Sequence, residues 1–488
     1  MKRSKKLALL FAVLFLLGSL YSLITLLAPD EDQVEETGTV LANVDAAAVT
    51  RMDWTFEGEE NALVKSGDTW QDGLDAKFPL DVSFATAMLN AVETLKATVT
   101  IRESGDLAQY GLAEPACTVK LTTKDGGETR LSIGDQNSLT KDYYVLYQDD
   151  PSVYTMDAAL YTAFAHKRLD LVEKEALPEL SDMKLLRIEG ADAVKTLTYL
   201  EDNAALSYSS SYPWFWTAED GTQKALASDK VKTLTDHLAN MKWDACVDYA
   251  MTDPAKYGLD QPTLTVKINY VETVSVDTGE KDSQGNAVTE EKSYDQNMTL
   301  LIGAVSGGSH YAALDGSKMV YTIDSSVASA LLAAEYVNLR PDDICAMDWD
   351  TVDSMDLVLD GKEHTIHRFG AESNADGTVR YSLDNRAMDG DSVQAFLDAL
   401  NALESSGEAD TVKTGAAAYR ITFHRTTEKF GTMVWSLADY DDRNYLLTFD
   451  GESRLLVAKK DIASLMETFD AIHETTTTTA ETEPADAE

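Results

Sequence analysis

One stretch of this chain is written twice. Tyr110-Gly111-Leu112-Ala113-Glu114-Pro115 opens it and Val153-Tyr154-Thr155-Met156-Asp157 closes it. Tyr257-Gly258-Leu259-Asp260-Gln261-Pro262 and Val320-Tyr321-Thr322-Ile323-Asp324 restate both markers in the same order. Between them Thr118-Val119-Lys120 is answered by Thr265-Val266-Lys267, and Ile133-Gly134 by Ile302-Gly303. Ordered coincidences of this kind mark a duplicated unit, so whatever folds across residues 46–170 must fold again across 183–336. Gly111 to Gly258 spans 147 positions and Gly134 to Gly303 spans 169, which leaves 22 extra residues in the second copy. They fall in the polar run 277–296, between the two strands after the corner, and predict a lengthened hairpin rather than an added domain.

Each copy reads as strand, strand, helix, corner, strand meander, helix. In the first, Val49 to Phe56 alternates as a strand and a second strand ends at Trp70. Asp81 then reads as an N-cap, with Phe84, Met88, Leu89, Val92 and Leu95 at helical spacing behind it. In the second copy Ser228 takes the capping role. A diverged third module is expected over 348–473, with a helix starting at Asp391 or Ser392 and no recognisable Tyr-Gly-Leu corner. This order predicts an α+β fold of repeated antiparallel sheets with packed helices. Linkers with Pro178 and Pro341 separate the modules, and 474–488 is an acidic low-complexity tail expected to stay disordered.

The amino terminus predicts a membrane segment. Leu7 to Ala28 is 22 residues without a charge, about 33 Å as a helix and enough to cross a hydrocarbon core. Residues 1–6 carry Lys2, Arg3, Lys5 and Lys6 and are expected to stay cytoplasmic, with 29–45 as a tether on the opposite side. A cleaved signal peptide is the rival reading; the length favours an uncleaved anchor. The chain as a whole is acidic, 83 Asp and Glu against 41 Lys and Arg, for a net charge of -42. That field repels nucleic acid, which is not expected as a partner. The three cysteines, Cys117, Cys246 and Cys345, sit in apolar patterns and read as buried thiols.

The doubled Tyr-Gly-Leu-x-x-Pro corner, the apolar-Gly strand ends, the pair Tyr144-Val145 and the Val-Tyr strands resemble the domain of unknown function 4340 family. The resemblance covers most of 45–335 and, weakly, the third module. It implies a single-pass bacterial envelope protein, of a kind often encoded beside ABC transporter subunits that resemble gliding-motility components. The family brings no established catalytic residues.

The residues themselves point the same way. No Gly-x-Ser-x-Gly elbow, His-Glu-x-x-His helix, phosphate loop or dinucleotide fingerprint occurs, and no cofactor, metal or catalytic residue is expected. His364 and His367 have a zinc-like spacing on a helix, but Thr365 and Ile366 between them suggest a strand, which turns them to opposite faces. Asp439-Tyr440-Asp441-Asp442 and Asp389-Gly390-Asp391 are carboxylate clusters without the spacing of a calcium loop. The markers Tyr110, Gly111, Leu112, Pro115, Gly134, Tyr257, Gly258, Leu259, Pro262 and Gly303 read as structural, glycine freeing a turn and proline ending it. Trp214 and Trp216 alternate on one strand and are the candidate partner-binding residues. The expectation is a non-enzymatic, membrane-anchored extracytoplasmic protein that binds envelope or transporter components. A glycan- or peptidoglycan-binding protein is the alternative, and a hydrolase working through carboxylates is a third.

Overall fold

The computed structural model describes residues 34–475, except 103, 205, 346, 371–376, 410–414, 450 and 451. The membrane segment expected at 7–28 lies outside the described residues, as does most of the tail. Among the described residues no helix is long and apolar enough to cross a membrane.

The first module contains β1 (Val34–Asn43), β2 (Val49–Phe56), β3 (Glu59–Ser66) and β4 (Thr69–Asp72), then helix α1 (Val82–Val92). It continues with β5 (Thr94–Ile101), β6 (Cys117–Thr123), β7 (Glu128–Gln136), β8 (Tyr143–Tyr147), β9 (Val153–Met156) and α2 (Ala158–Phe164). The second has β10 (Met183–Glu189), β11 (Val194–Tyr199), β12 (Trp214–Thr217), β13 (Gln223–Leu226), α3 (Ser228–Ala239) and β14 (Cys246–Asp248). It ends with β15 (Leu264–Lys281), β16 (Ala287–Ser306), β17 (Ser309–Leu314), β18 (Val320–Asp324), α4 (Ser325–Ala333) and α5 (Tyr336–Leu339). The third has β19 (Val352–Leu359), β20 (Lys362–Phe369), β21 (Arg380–Leu383), β22 (Arg386–Met388) and α6 (Gly390–Asn401). Its last elements are β23 (Gly407–Glu408), β24 (Ala417–Arg425), β25 (Thr432–Asp439), β26 (Asn444–Phe449), β27 (Glu452–Ala458) and α7 (Lys459–Asp470).

These strands form three nine-stranded sheets whose described pairings are antiparallel, and seven helices accompany them among the described residues. The orders are β1-β5-β9-β8-β7-β6-β2-β3-β4, then β14-β18-β17-β16-β15-β10-β11-β12-β13, then β23-β27-β26-β25-β24-β19-β20-β21-β22. Eight strands correspond throughout, β5 to β14 and β23, and β4 to β12 and β21. Only the ninth differs. The second and third sheets add it beyond β12 and β21, whereas the first adds β1 on the opposite edge, beside β5.

Alternation explains the sheets. In β2, Met52 and Trp54 point inward with Val119 and Leu121 of β6 and Leu131 and Ile133 of β7. Helices α1 and α2 add Ala85, Met88, Val92, Leu160 and Phe164 to that face. Each large side chain so buried stabilises the module by about 1.5–3 kcal/mol. The third module buries Phe396, Phe423 and Trp435 in the same way. Cα packing divides the chain into two compact units. Among the described residues, one is 34–177 with Trp243–Thr252 and Ser317–Thr322; the other is Pro178–Lys242, Asp253–Gly316 and 323–475.

The structure corrects several local expectations. Residues 34–43 are not tether but strand β1, because the open edge of β5 supplies partners that the acidic sequence does not announce. Leu95 is not on the first helix. That helix ends at Val92 and the chain passes directly into β5. Asp81 does cap α1, accepting from the Ser83 N–H at 2.9 Å. Ser228 is the first residue of α3, not its cap; its hydroxyl donates to Ser211 O. Helix α6 begins at Gly390, one residue before Asp391, with Asp389 as its cap.

Candidate functional site

The doubled corner is a matter of backbone clearance. Asp106 and Asp253 each start a single 3-10 turn, accepting from the N–H two residues on, and Gly111 and Gly258 end it with φ at +67°. That left-handed turn lays the tyrosine carbonyl across the neighbouring strand. A Cβ on Gly134 would stand 2.2 Å from Tyr110 O, and a Cβ on Gly303 would stand 2.2 Å from Tyr257 O. Tyr110, Leu112, Tyr257 and Leu259 are buried, with Tyr110 against Tyr144 and Tyr257 against Tyr311 at ring separations of 4.9 and 5.1 Å. Pro115 and Pro262 each stand two residues before the next strand, β6 and β15. In the third sheet the position of Gly134 and Gly303 is filled by Ala438, one residue past Leu437, the counterpart of Ile133 and Ile302. A methyl at that position would meet a carbonyl crossing as in the first two modules, in keeping with the absence of a Tyr-Gly-Leu corner from the third module's sequence.

Trp214 and Trp216 lie on one face of β12, half-buried, with Phe215 between them fully buried. Trp214 meets the Tyr199 ring edge-on at 5.6 Å, and Trp216 stands opposite the buried Leu197. Both indoles are thus partly exposed.

Polar side chains gather at three further places. Within the first unit the Arg168 guanidinium makes a bidentate pair with the buried Asp72, at 2.8 and 3.0 Å, and lies 4.8 Å from the Phe78 ring centre. Tyr249 donates from its hydroxyl to Asp75 at 2.8 Å. Asp75 is held below the usual carboxylate range by the Lys77 N–H and then by that hydroxyl. Within the second unit, Tyr212 donates to Asp343 at 2.5 Å, and Asp348 accepts from the N–H and hydroxyl of Ser210. Burial and the Asp343 carboxylate push the Tyr212 phenol far up. Both sets bind loops together through groups already paired.

The third place was not singled out in the sequence. On one face of the third sheet Ser354 stands between His367 and His424 in register, and His424 meets Asp356 at 2.8 Å. Thr365 also donates to Asp356 at 3.0 Å, and the two bonds, that of His424 first, lower the carboxyl's pKa. The Ser354 hydroxyl donates to Asp353 at 3.3 Å rather than to either imidazole. The signal was an alternation that puts histidine and aspartate on the same face of adjacent strands, legible only once β19 and β24 are known to pair. His364 faces the other side, against Asp384 and Phe469, so the strand separates it from His367.

Among the described residues no group of three or more His, Cys, Asp or Glu is placed to hold a metal. Asp389 is a helix cap, Asp441 accepts from the N–H of Arg443 and Asn444, and Asp439 pairs with Lys459. The three thiols are buried, and burial raises Cys117 to about 12 and Cys246 to about 11. A cavity of about 820 Å³ opens beside β5, walled by Leu95, Ala97, Val99, Met156 and Leu160. Its Asp157 is already engaged as the cap of α2.

No curated protein and no solved structure matches the chain. Two segments, 70–210 and 214–421, match the family described as a domain of unknown function, DUF4340. The first segment starts in β4 and the second in β12, which are the same strand of successive sheets, so the two matches begin at equivalent points of the structural repeat. Because they span more than half of its length, the chain belongs to the DUF4340 family.

Proposed function

We propose that this protein is a non-enzymatic binding component of a bacterial envelope assembly built around an ABC transporter. Residues 7–28 would hold it in the membrane and its modules would stand on the extracytoplasmic side. The observation that carries the reading is the recurrence of one sheet-and-helix module over three sheets. Repetition multiplies surface, and the prominent polar clusters are spent on caps and on joining loops. The uncharged run at 7–28 with basic residues before it supports the placement.

The test is crosslinking in intact cells, followed by purification from membranes washed at alkaline pH. The reading expects the chain to stay in the washed membrane and to bring down one recurrent set of envelope or transporter proteins. Release by the wash, or recovery without any recurrent partner, defeats it. A second reading rests on the half-open Trp214 and Trp216: apolar stacking on a neutral glycan. It expects sedimentation with peptidoglycan that falls about tenfold when both are changed to alanine, a loss of roughly 1.4 kcal/mol.

A further inference from the structure

The lengthened hairpin of the second module is an arm with an open edge. Strand β10 covers β15 up to Tyr270, and the Val271 N–H donates to Asp182 O at 2.9 Å on that side. Beyond this point β15 pairs only with β16 among the described residues, in a ribbon that runs on to Lys281 and Ala287. Backbone groups alternate in direction along a strand, so Thr273, Ser275 and Asp277 aim their N–H and C=O at the unpaired side. Sheet edges are ordinarily blunted by lysine, proline or a bulge. Residues 271–278 of this edge contain no lysine and no proline, and their register is regular up to Asp277. The arm from Glu272 to Asn297 is exposed or half-exposed along its whole length. A two-stranded ribbon on its own is marginal in water, and further strands are what stabilise it.

We infer that the open edge of β15 is a self-pairing site, where the arms of two copies of this chain join antiparallel about a twofold axis through Ser275. A twofold axis normal to the ribbon keeps every side chain on its own face, so one residue must lie on the axis. With Ser275 there, Val274 stands opposite the partner's Val276, Glu272 opposite the partner's Thr278, and the partner's Asp277 opposite Thr273. Valine meets valine, and no carboxylate stands opposite another carboxylate. An axis through Val274 would set Glu272 against valine, and one through Val276 would set Glu272 against Glu280. The composition of the edge therefore selects one register. The acidity of the rest of the chain is a weak obstacle, because charges more than about 8 Å away are screened at physiological salt. A ladder over 272–278 buries less than the ~1,200 Å² of a stable complex, so pairing is transient in dilute solution and strengthens where copies are concentrated.

The experiment uses the full-length chain with Ser275→Cys, in the membranes of the cells that produce it, oxidised with copper–phenanthroline. The three native cysteines are buried and stay out of the reaction. The expected result is a reducible band at twice the 53.4 kDa chain mass, whose linked peptides join position 275 to 275. Gln284→Cys, in the exposed turn at the tip, should crosslink about tenfold less, since the register holds it away from its own copy. Adding Val274→Lys and Val276→Lys to the first variant should remove the band by crowding lysines across the ladder. Equal crosslinking at 284 means random collision and overturns the proposal. So does the absence of a dimer at 275, capture of a different protein by that cysteine, or a band that survives the lysines. The comparison of 275 with 284 stands even if the lysine variant is poorly produced.

Discussion

Gly134 and Gly303 set a limit that a single methyl group breaks. Because a Cβ at either would press to 2.2 Å of a tyrosine carbonyl, Gly134→Ala and Gly303→Ala should each destabilise by about 1–3 kcal/mol or more, read from denaturant midpoints. Ala438→Gly should cost only the backbone entropy of glycine, about 0.5–1 kcal/mol. Asp75 gives a pH signature. Its folded pKa is depressed, so its contribution is complete above the ordinary carboxylate value of about 3.9 and is lost as pH falls through the depressed one. Asp75→Asn should therefore lower stability most near neutral pH, and its unfolding curve should converge on that of the natural chain as pH falls through the depressed pKa. At this scale the corner was legible, since glycine and proline announce their geometry. The His424–Asp356 pair was not, because its partners lie 68 positions apart and meet only through strand register.

At the scale of elements, the helices with strong apolar spacing and the hairpins with glycine turns could be read directly, and the 22-residue insertion was legible as a longer hairpin. Strands such as β5, β11 and β14 escaped because each is short or polar on its open face and takes its form from a neighbour. The same dependence explains β1. The arm makes the converse case: its residues bury little, so replacing 272–295 by a two-residue turn should leave the second module folded. Its stability should change by no more than about 1 kcal/mol, towards greater stability, because a shorter connection loses less entropy on closing. Thermal unfolding of the shortened chain checks this, and a large loss would mean that the arm braces the module.

Across the whole molecule, charge is the term that no single contact shows. A net of -42 is a self-repulsion distributed over the surface, only partly offset by exposed pairs such as Lys120–Glu128 and Arg187–Glu189. Raising salt from about 0.01 M to 0.15 M shortens the screening length from about 30 Å to 8 Å, so the melting temperature should rise over that range. A flat response would show that the acidic residues lie too far apart to oppose folding.

The central ladders carry a consequence for the order of events during synthesis. β2 must wait for β6, β10 for β15 and β19 for β24, so Val49 meets Thr123, Met183 meets Tyr270 and Val352 meets Arg425. At ribosomal speeds each wait lasts on the order of ten seconds, during which the first hairpin of the module has an apolar face and no third strand. The waits come one after another along the chain. Each module can thus close before the next has presented its own first hairpin, and structurally equivalent strands from successive copies are separated in time.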